Sequence, residues 1–212
     1  MTAPEISTSG DEPFLLTIFL KGHGMAGTIT FSEVPVITRE DGVLKLHKKV
    51  ASLLAYIKPK ENTRYAIDRI GIEDNTLAVT DGRRLFTMEL PEGLAENGSY
   101  FLTPEGWLVD HECPRAFPKW RELIPQETSL IHKGNLTPHG EGTYRIIKKI
   151  CAAGYLLNLN WLLSILKRLQ ACGVYEIEAR NACKDSDYLR PIMLKGTIGR
   201  GKFIYLQIPL KS

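Results

Sequence analysis

The sequence predicts an α+β fold in which a strand–helix–strand–strand–strand unit, βαβββ, occurs twice. Two amphipathic helical segments, at residues 44–57 and 160–170, begin about 115 residues apart, and each precedes three strand-like segments. Mixed segments that repeat at this spacing are more informative than any single motif. The predicted organisation is a flexible tail, a first unit, a connector and a second unit, at residues 1–12, 13–90, 91–142 and 143–212.

The first predicted unit opens with short apolar and β-branched runs that favour strands, at residues 14–20, 28–31 and 34–38. Its helix follows, and one helical stripe contains the apolar residues Leu46, Val50, Leu53, Leu54 and Ile57. Pro59 ends this helix because proline cannot continue the backbone hydrogen bonding. Three strands separated by short turns complete the unit, at residues 64–73, 77–80 and 84–90.

The connector and the second unit differ in amino-acid composition. Proline, glycine and asparagine are spread through the connector, and only residues 100–103 predict a strand there. In the second unit, strands are predicted at residues 144–150 and 155–159, before the helix, and at residues 174–179, 189–194 and 203–210 after it. We expect the central leucines of both helices to be buried beneath the sheet: Leu53, Leu54, Leu162, Leu163 and Leu166.

Composition predicts a soluble cytoplasmic protein that can bury a sizeable core. Of 212 residues, 43% are hydrophobic and 24% are charged, and no apolar run is long enough to span a membrane. The first residues carry no secretion-signal pattern, and the four cysteines form no CxxC pair. Net charge is +3, with the excess of Lys and Arg over Asp and Glu in the second half, which permits contact with a polyanion.

Two glycine-rich motifs invite an enzymatic interpretation. Gly22–Gly27 has the GxGxxG spacing of a dinucleotide-binding loop, and Gly196–Lys202 is one residue short of a phosphate-binding loop. Both need a following helix to hold phosphate, but strand-like sequence follows each one, so both predict turns. The cluster His111-Glu112-Cys113 lacks a partner pair at metal-ligand spacing. The sequence therefore predicts no catalytic site, no metal site and no cofactor.

The polar faces of the two predicted helices are basic and contain no acidic residue. Lys45, Lys48 and Lys49 lie opposite the apolar stripe of the first helix, and Lys167 and Arg168 lie opposite that of the second. Solvated helix faces usually mix charges of both signs, because pairs spaced i,i+4 stabilise the helix. These faces favour contact with phosphate groups, with ordinary solvated surface as the alternative.

Three stretches resemble the bacterial DNA polymerase III β subunit, the β sliding clamp. VTDGRRLFTMELP at 79–91 is similar to the ATDGHRLA segment of that family, and FPKWRELIP at 117–125 is similar to its FPDYRRVLP-type connector. The final stretch, 156–170 followed by 203–212, is similar to the family's last half-domain and its closing tail. The resemblance implies the DNA-clamp fold of processivity factors, with helices on one side of antiparallel sheets and the two βαβββ halves forming one clamp-like domain.

The resemblance also implies a function and a peptide-docking site. It implies a non-enzymatic protein that associates with double-stranded DNA and docks a DNA polymerase or other proteins with a clamp-binding motif. It also implies interaction with a clamp loader and self-association. Carried over from the family, the docking pocket is lined by Thr80, Gly82, Arg83, Arg84, Leu85, Pro118, Leu206, Ile208, Pro209 and Leu210. The family's chains contain three such domains, whereas this sequence has the halves for about one. The alternatives are a clamp-derived peptide-binding adaptor that does not encircle DNA and a nucleotide-binding enzyme.

Overall fold

The computed structural model describes residues 14–18, 27–31, 37–40, 43–59, 66–110, 116–137, 140–182 and 191–209. The chain divides into two compact units, Met1–Pro35 and Val36–Ser212. The first unit contains strand β1 (Phe14–Ile18) and strand β2 (Gly27–Phe31), which pair in antiparallel register with Phe14 opposite Phe31. These are two of the predicted strands. Of the glycine motif Gly22–Gly27, only Gly27 is among the described residues, as the first residue of β2.

The unit Val36–Ser212 contains three α-helices and eleven strands among its described residues. In chain order they are β3 (Ile37–Glu40), β4 (Val43–Leu46), α1 (Lys48–Ile57), β5 (Ile70–Glu73), β6 (Thr76–Thr80), β7 (Arg84–Glu89), β8 (Gly98–Leu102), β9 (Trp107–Asp110), a 3₁₀-helix (Trp120–Leu123), β10 (Thr128–Asn135), α2 (Glu141–Ala152), α3 (Leu159–Ala171), β11 (Glu176–Ala182), β12 (Ile192–Ile198) and β13 (Gly201–Gln207).

The strands form one antiparallel sheet in the order β10-β11-β12-β13-β7-β6-β5-β8-β9-β4-β3. At its centre β13 pairs with β7, placing Leu206 opposite Leu85. From this pair outward, the three strands that follow α3 and the three that follow α1 run in matching order. The central six strands are therefore two runs of three strands, each following a helix, while the complete βαβββ repeat stays a prediction. The first copy differs from the second because the β8–β9 hairpin lies between β5 and β4.

The second half corrects the strand prediction. Residues 144–150 belong to helix α2, because Thr143, Ile146 and Ile150 are buried at helical spacing on one side. Residues 155–158 form no strand and lead into α3, which confirms the predicted second helix. The strand before these helices is β10, inside the predicted connector, which also contains β8 and β9. The domain boundaries after residues 12, 90 and 142 stay predictions.

Two apolar clusters lie on the two faces of the sheet. The larger cluster joins all three α-helices to the sheet and includes Leu53, Leu54, Leu162 and Leu166, as predicted, whereas Leu163 is half-buried. The smaller cluster covers the opposite face and consists of Ala78, Leu85, Trp120, Met193 and Leu206. The helices therefore lie on one side of the sheet, and the segment around Trp120 lies on the other. None of the described helices has the length and apolarity needed to cross a membrane.

Burial of the α3 stripe predicts a measurable difference between two leucines of the same helix. Leu166 is fully buried and Leu159 is 47% exposed. We expect Leu166→Ala to lower the free energy of unfolding by about 2–5 kcal/mol, because it leaves a cavity in the core. Leu159→Ala, the matched control, should change it by less than about 0.5 kcal/mol. Urea unfolding followed by circular dichroism measures both, and equal midpoints for the two variants would contradict this packing.

Candidate nucleic-acid interface and docking site

The three α-helices form one layer in which α3 contacts both α1 and α2. Helix α1 begins after His47, whose imidazole accepts a hydrogen bond from the backbone N–H of Lys49 (3.4 Å). Helix α3 begins after Asn158, whose side chain accepts from the N–H of Trp161 (3.2 Å). Both polar caps satisfy N–H groups that have no partner inside the helix. The layer therefore has defined ends, and its outer surface is the candidate nucleic-acid interface.

Arg168 joins α3 to α1. Its Nη1 donates to Ser52 Oγ at 2.7 Å, and its guanidinium lies 4.6 Å from the centre of the Tyr56 ring. Lys49 lies in the same neighbourhood, since Lys49 and Arg168 both act electrostatically on Cys172. Burial nevertheless dominates there and raises the pKa of the Cys172 thiol to about 11, so the group stays protonated and unreactive at neutral pH.

Three of the predicted DNA-contacting residues lie on the helix layer with free charges. Lys48, Lys49 and Lys167 are exposed, and no described residue forms an ion pair with them. Lys48 and Lys49 occupy the first turn of α1, which has no acidic residue. The positive end of the helix dipole disfavours cations there, so their placement does not serve helix stability.

Lys45 does not belong to this surface, which corrects the prediction. It lies on β4, where Leu44 and Leu46 are both buried, and alternation along a strand directs Lys45 to the face opposite the helices. Its Nζ pairs with Glu40 at 2.9 Å and lies 4.5 Å from the centre of the Trp107 ring. Because Leu46 continues the helical stripe of α1, the sequence pattern extended the helix too far toward the N-terminus.

Sequence reasoning missed a third basic helix. Helix α2 exposes Arg145, Lys148 and Lys149, and none of them forms an ion pair with a described residue. Glu141 is the one acidic residue among the residues of the three helices. The sequence does contain a helical signal here. The basic residues follow i, i+3, i+4 spacing, and Ile146 and Ile150 are buried opposite them.

The predicted docking residues on β6, β7 and β13 come together at one end of these strands. Thr80 Oγ1 donates to the carbonyl of Arg84 (2.7 Å) and accepts from the N–H of Gly82 (3.0 Å), which holds the turn. Gly82 has a φ of 85°, a conformation that glycine adopts without strain. The N–H of Ile208 donates to the carbonyl of Arg83 at 3.0 Å, which extends the β7–β13 pairing into the turn.

The expected apolar floor of the docking pocket is covered by the chain's own connector. Leu85 and Leu206 are 3% and 4% exposed, and both belong to the smaller cluster together with Trp120. Pro118, two residues earlier, is half-buried, as are Ile208 and Pro209, while Leu210 lies outside the described residues. The exposed part of the predicted site is therefore a rim around a filled centre, not an open cavity.

Arg84 points away from that floor. Alternation along β7 places it on the helix side, where it is 8% exposed. Its Nε donates to Asp81 Oδ2 at 2.8 Å, and its Nη2 donates to the Tyr56 carbonyl at 3.3 Å. The guanidinium lies 4.9 Å from the Tyr56 ring centre and 4.7 Å from that of Trp161. Arg84 and Leu85 therefore cannot line one pocket together.

The remaining motifs contain no catalytic arrangement within the described part of the chain. The second glycine motif forms the tight turn between β12 and β13, with Gly199 at a φ of 57°, as its sequence predicted. No group of three His, Cys, Asp or Glu side chains suited to a metal ion occurs among the described residues. The cluster at residues 111–113 lies outside them.

Comparison with known proteins gives structural likeness at low identity. No protein-family model matches the chain, and no curated protein does. The structure is similar to that of the DNA polymerase III beta subunit of Thermotoga maritima, with 16% identity and a TM-score of 0.49, over 97% of this chain and 75% of the other. It is also similar to a candidate DNA polymerase III beta subunit of Eubacterium rectale, with 14% identity and a TM-score of 0.45, over 96% and 76%.

Burial of Arg84 predicts that two adjacent arginines differ sharply in their contribution to stability. We expect Arg84→Ala to lower the free energy of unfolding by about 3 kcal/mol. The substitution removes the cation of a buried ion pair and leaves the Asp81 carboxylate without its partner. Arg83, which is exposed, is the matched control, and Arg83→Ala should cost less than about 0.5 kcal/mol. Thermal and urea unfolding report both, and similar stabilities of the two variants would refute the buried role of Arg84.

Proposed function

We propose that this chain is a non-enzymatic, clamp-like protein that associates with double-stranded DNA through its helix layer. The observation that carries the proposal is the charge of that layer. Its exposed basic residues are Lys48, Lys49, Arg145, Lys148, Lys149 and Lys167, against the single acid Glu141. A surface of one sign on neighbouring helices suits the repeating negative charge of a duplex.

The proposed contact is with phosphates and does not read base sequence. Lysine ammonium groups are compact charges on flexible stems and bind phosphate without the planar geometry that base recognition uses. Lys48 and Lys49 lie at the positive end of the α1 dipole, which repels their charges and lowers the stability of the helix. A binding role for both lysines accounts for that cost, since functional sites are where local rules of stability are broken.

The arrangement of the three resembling stretches supports the clamp-like part of the proposal. They are distant in sequence but meet in space, because β7 pairs with β13 and Trp120 of the connector belongs to the same apolar cluster as Leu85 and Leu206. The matching order of the central six strands supports a domain made of two related halves. In the proposed function, the rim formed by Gly82, Arg83 and Ile208 docks a clamp-binding motif of a DNA polymerase or another replication or repair protein. Self-association and contact with a clamp loader belong to the same proposal.

The DNA contact predicts a loss of affinity without a loss of stability. We expect Lys48→Gln with Lys49→Gln to weaken binding equally for all duplex sequences and to flatten the plot of log affinity against log salt by roughly 0.9 for each phosphate interaction removed. The variant should unfold at an equal or higher urea concentration, because it removes two cations from the positive end of α1. Fluorescence anisotropy with labelled duplexes over a salt series measures the first effect.

The matched control for that experiment removes two exposed lysines from outside the helix layer. Lys202 and Lys119 are exposed and lie away from the helix layer. Lys202 alternates along β13 to the same face as Leu206, and Lys119 is next to Trp120 in the connector. Lys119→Gln with Lys202→Gln changes the net charge by the same amount and should leave the salt slope unchanged. Equal loss of affinity in both double variants would show general attraction to a basic protein instead of a defined interface.

The docking part predicts binding of a peptide at the rim. We expect a labelled QLSLF peptide, of the type bound by β clamps, to bind with micromolar affinity and to lose that affinity in Ile208→Lys. Ile208 is the better choice for substitution because Leu85 is buried, and changing it would report unfolding. Val109→Lys, at a 41%-exposed position of β9, is the control. Absence of binding to the unmodified chain would remove docking from the proposal, while peptide binding without DNA binding would favour the adaptor.

A further inference from the structure

Strand β10 forms one edge of the described sheet. It pairs with β11 on one side, and no described strand pairs with its other side. At eight residues it is the longest described strand, and its register shifts between Leu130 and His132. Such an edge presents unpaired backbone N–H and C=O groups that can pair with another extended chain.

A cleft of about 370 Å³ opens beside the end of β10, between this strand and the first turns of α2. Its lining includes His132, Asn135, Glu141, Arg145 and Glu176. The lining comes from both faces of the sheet. His132 and Gly134 lie on the helix side, because Gly134 is opposite the buried Ile177. Lys133, whose Nζ pairs with Glu176 at 2.9 Å, lies on the other side. The cleft therefore reaches around the edge.

Several polar groups in the cleft have no partner within the described residues. His132 Nε2 is buried and makes no hydrogen bond there. The ring lies over Gly134, where a Cβ would come within 2.8 Å of Nε2, so glycine leaves room for it. Arg145 and Glu141 are exposed at i,i+4 spacing, yet they form no ion pair with each other or with another described residue.

We infer that this edge binds an extended peptide of a partner protein, which adds to β10 as a further strand and places an acidic side chain against Arg145. The free backbone of β10 supplies main-chain hydrogen bonds, and the cleft supplies selectivity for a side chain, as in strand-addition complexes. A polypeptide fits better than nucleic acid, because Glu141 and Glu176 stand in the cleft beside the basic residues. This inference goes beyond the proposed function and does not depend on DNA binding.

The test selects short random peptides displayed on phage against the whole chain and synthesises the enriched ones. We expect them to share an acidic residue within an extended, β-branched sequence. Hydrogen exchange read by mass spectrometry should show new protection at residues 128–135 when such a peptide is added. Arg145→Glu should weaken the peptide by about tenfold or more, since it replaces a charge-assisted contact with repulsion. A peptide with lysine in place of the acid should recover binding to that variant.

Lys202→Glu is the control, because it makes the same change of charge at an exposed position of β13, outside both the cleft lining and the helix layer. It should leave affinity for the peptide within about twofold. Failure to enrich any peptide, protection away from residues 128–135, or equal effects of the two variants would overturn the inference. Protection of residues 128–135 on concentrating the chain without peptide would also overturn it, because a second copy would then occupy the edge. None of these readouts involves DNA, so they are separable from failure of the proposed function.

Discussion

The guanidinium of Arg84 connects the sheet to the helix layer at the point where the two halves of the chain meet. It contacts the rings of Tyr56 on α1 and Trp161 on α3, and it pairs with Asp81 in the β6–β7 turn. Next to it, Gln207 donates from Nε2 to the carbonyl of Asn158 at 3.1 Å, which ties the end of β13 to the start of α3. A buried charge with this many contacts allows few alternative arrangements, because each one would leave it without a partner.

The same connection organises the outer surface of the helices. Tyr56 contacts Arg168 as well as Arg84, so one ring is shared between the buried cation and a partly exposed one. Arg168 in turn fixes α3 against Ser52 of α1. These contacts set how α1 and α3 lie against each other, and with that the distance between the backbone positions of their basic residues. Stability of the interior and geometry of the surface depend on one set of contacts.

The sequence predicted elements well where a single periodicity dominates, and poorly where two patterns overlap or an edge is involved. The leucines of α3 fit only a helix, and α3 is present as predicted. Residues 144–150 contain isoleucines that also suit a strand, and the helical spacing of α2 was missed. Strand β10 was missed because an edge strand is exposed on several sides and needs few apolar residues. For the site, motif resemblance selected three stretches that lie close together in the structure, and their role in docking stays a prediction. The resemblance did not account for strand alternation, which separates Arg84 from Leu85, or for the burial of Leu85 and Leu206 in one cluster with Trp120.

The central strand pair has a consequence for how the chain acquires its structure. Met88 of β7 pairs with Phe203 of β13, so the middle of the sheet joins residues that are separated by more than half of the chain. Closing so long a loop is slow, and proteins dominated by such distant pairings fold slowly. During synthesis β5, β6 and β7 leave the ribosome long before β13 exists, and the edge of β7 stays open until then. During this interval Leu85 and Phe86 lack the residues that lie opposite them in the finished sheet, Leu206 and Tyr205.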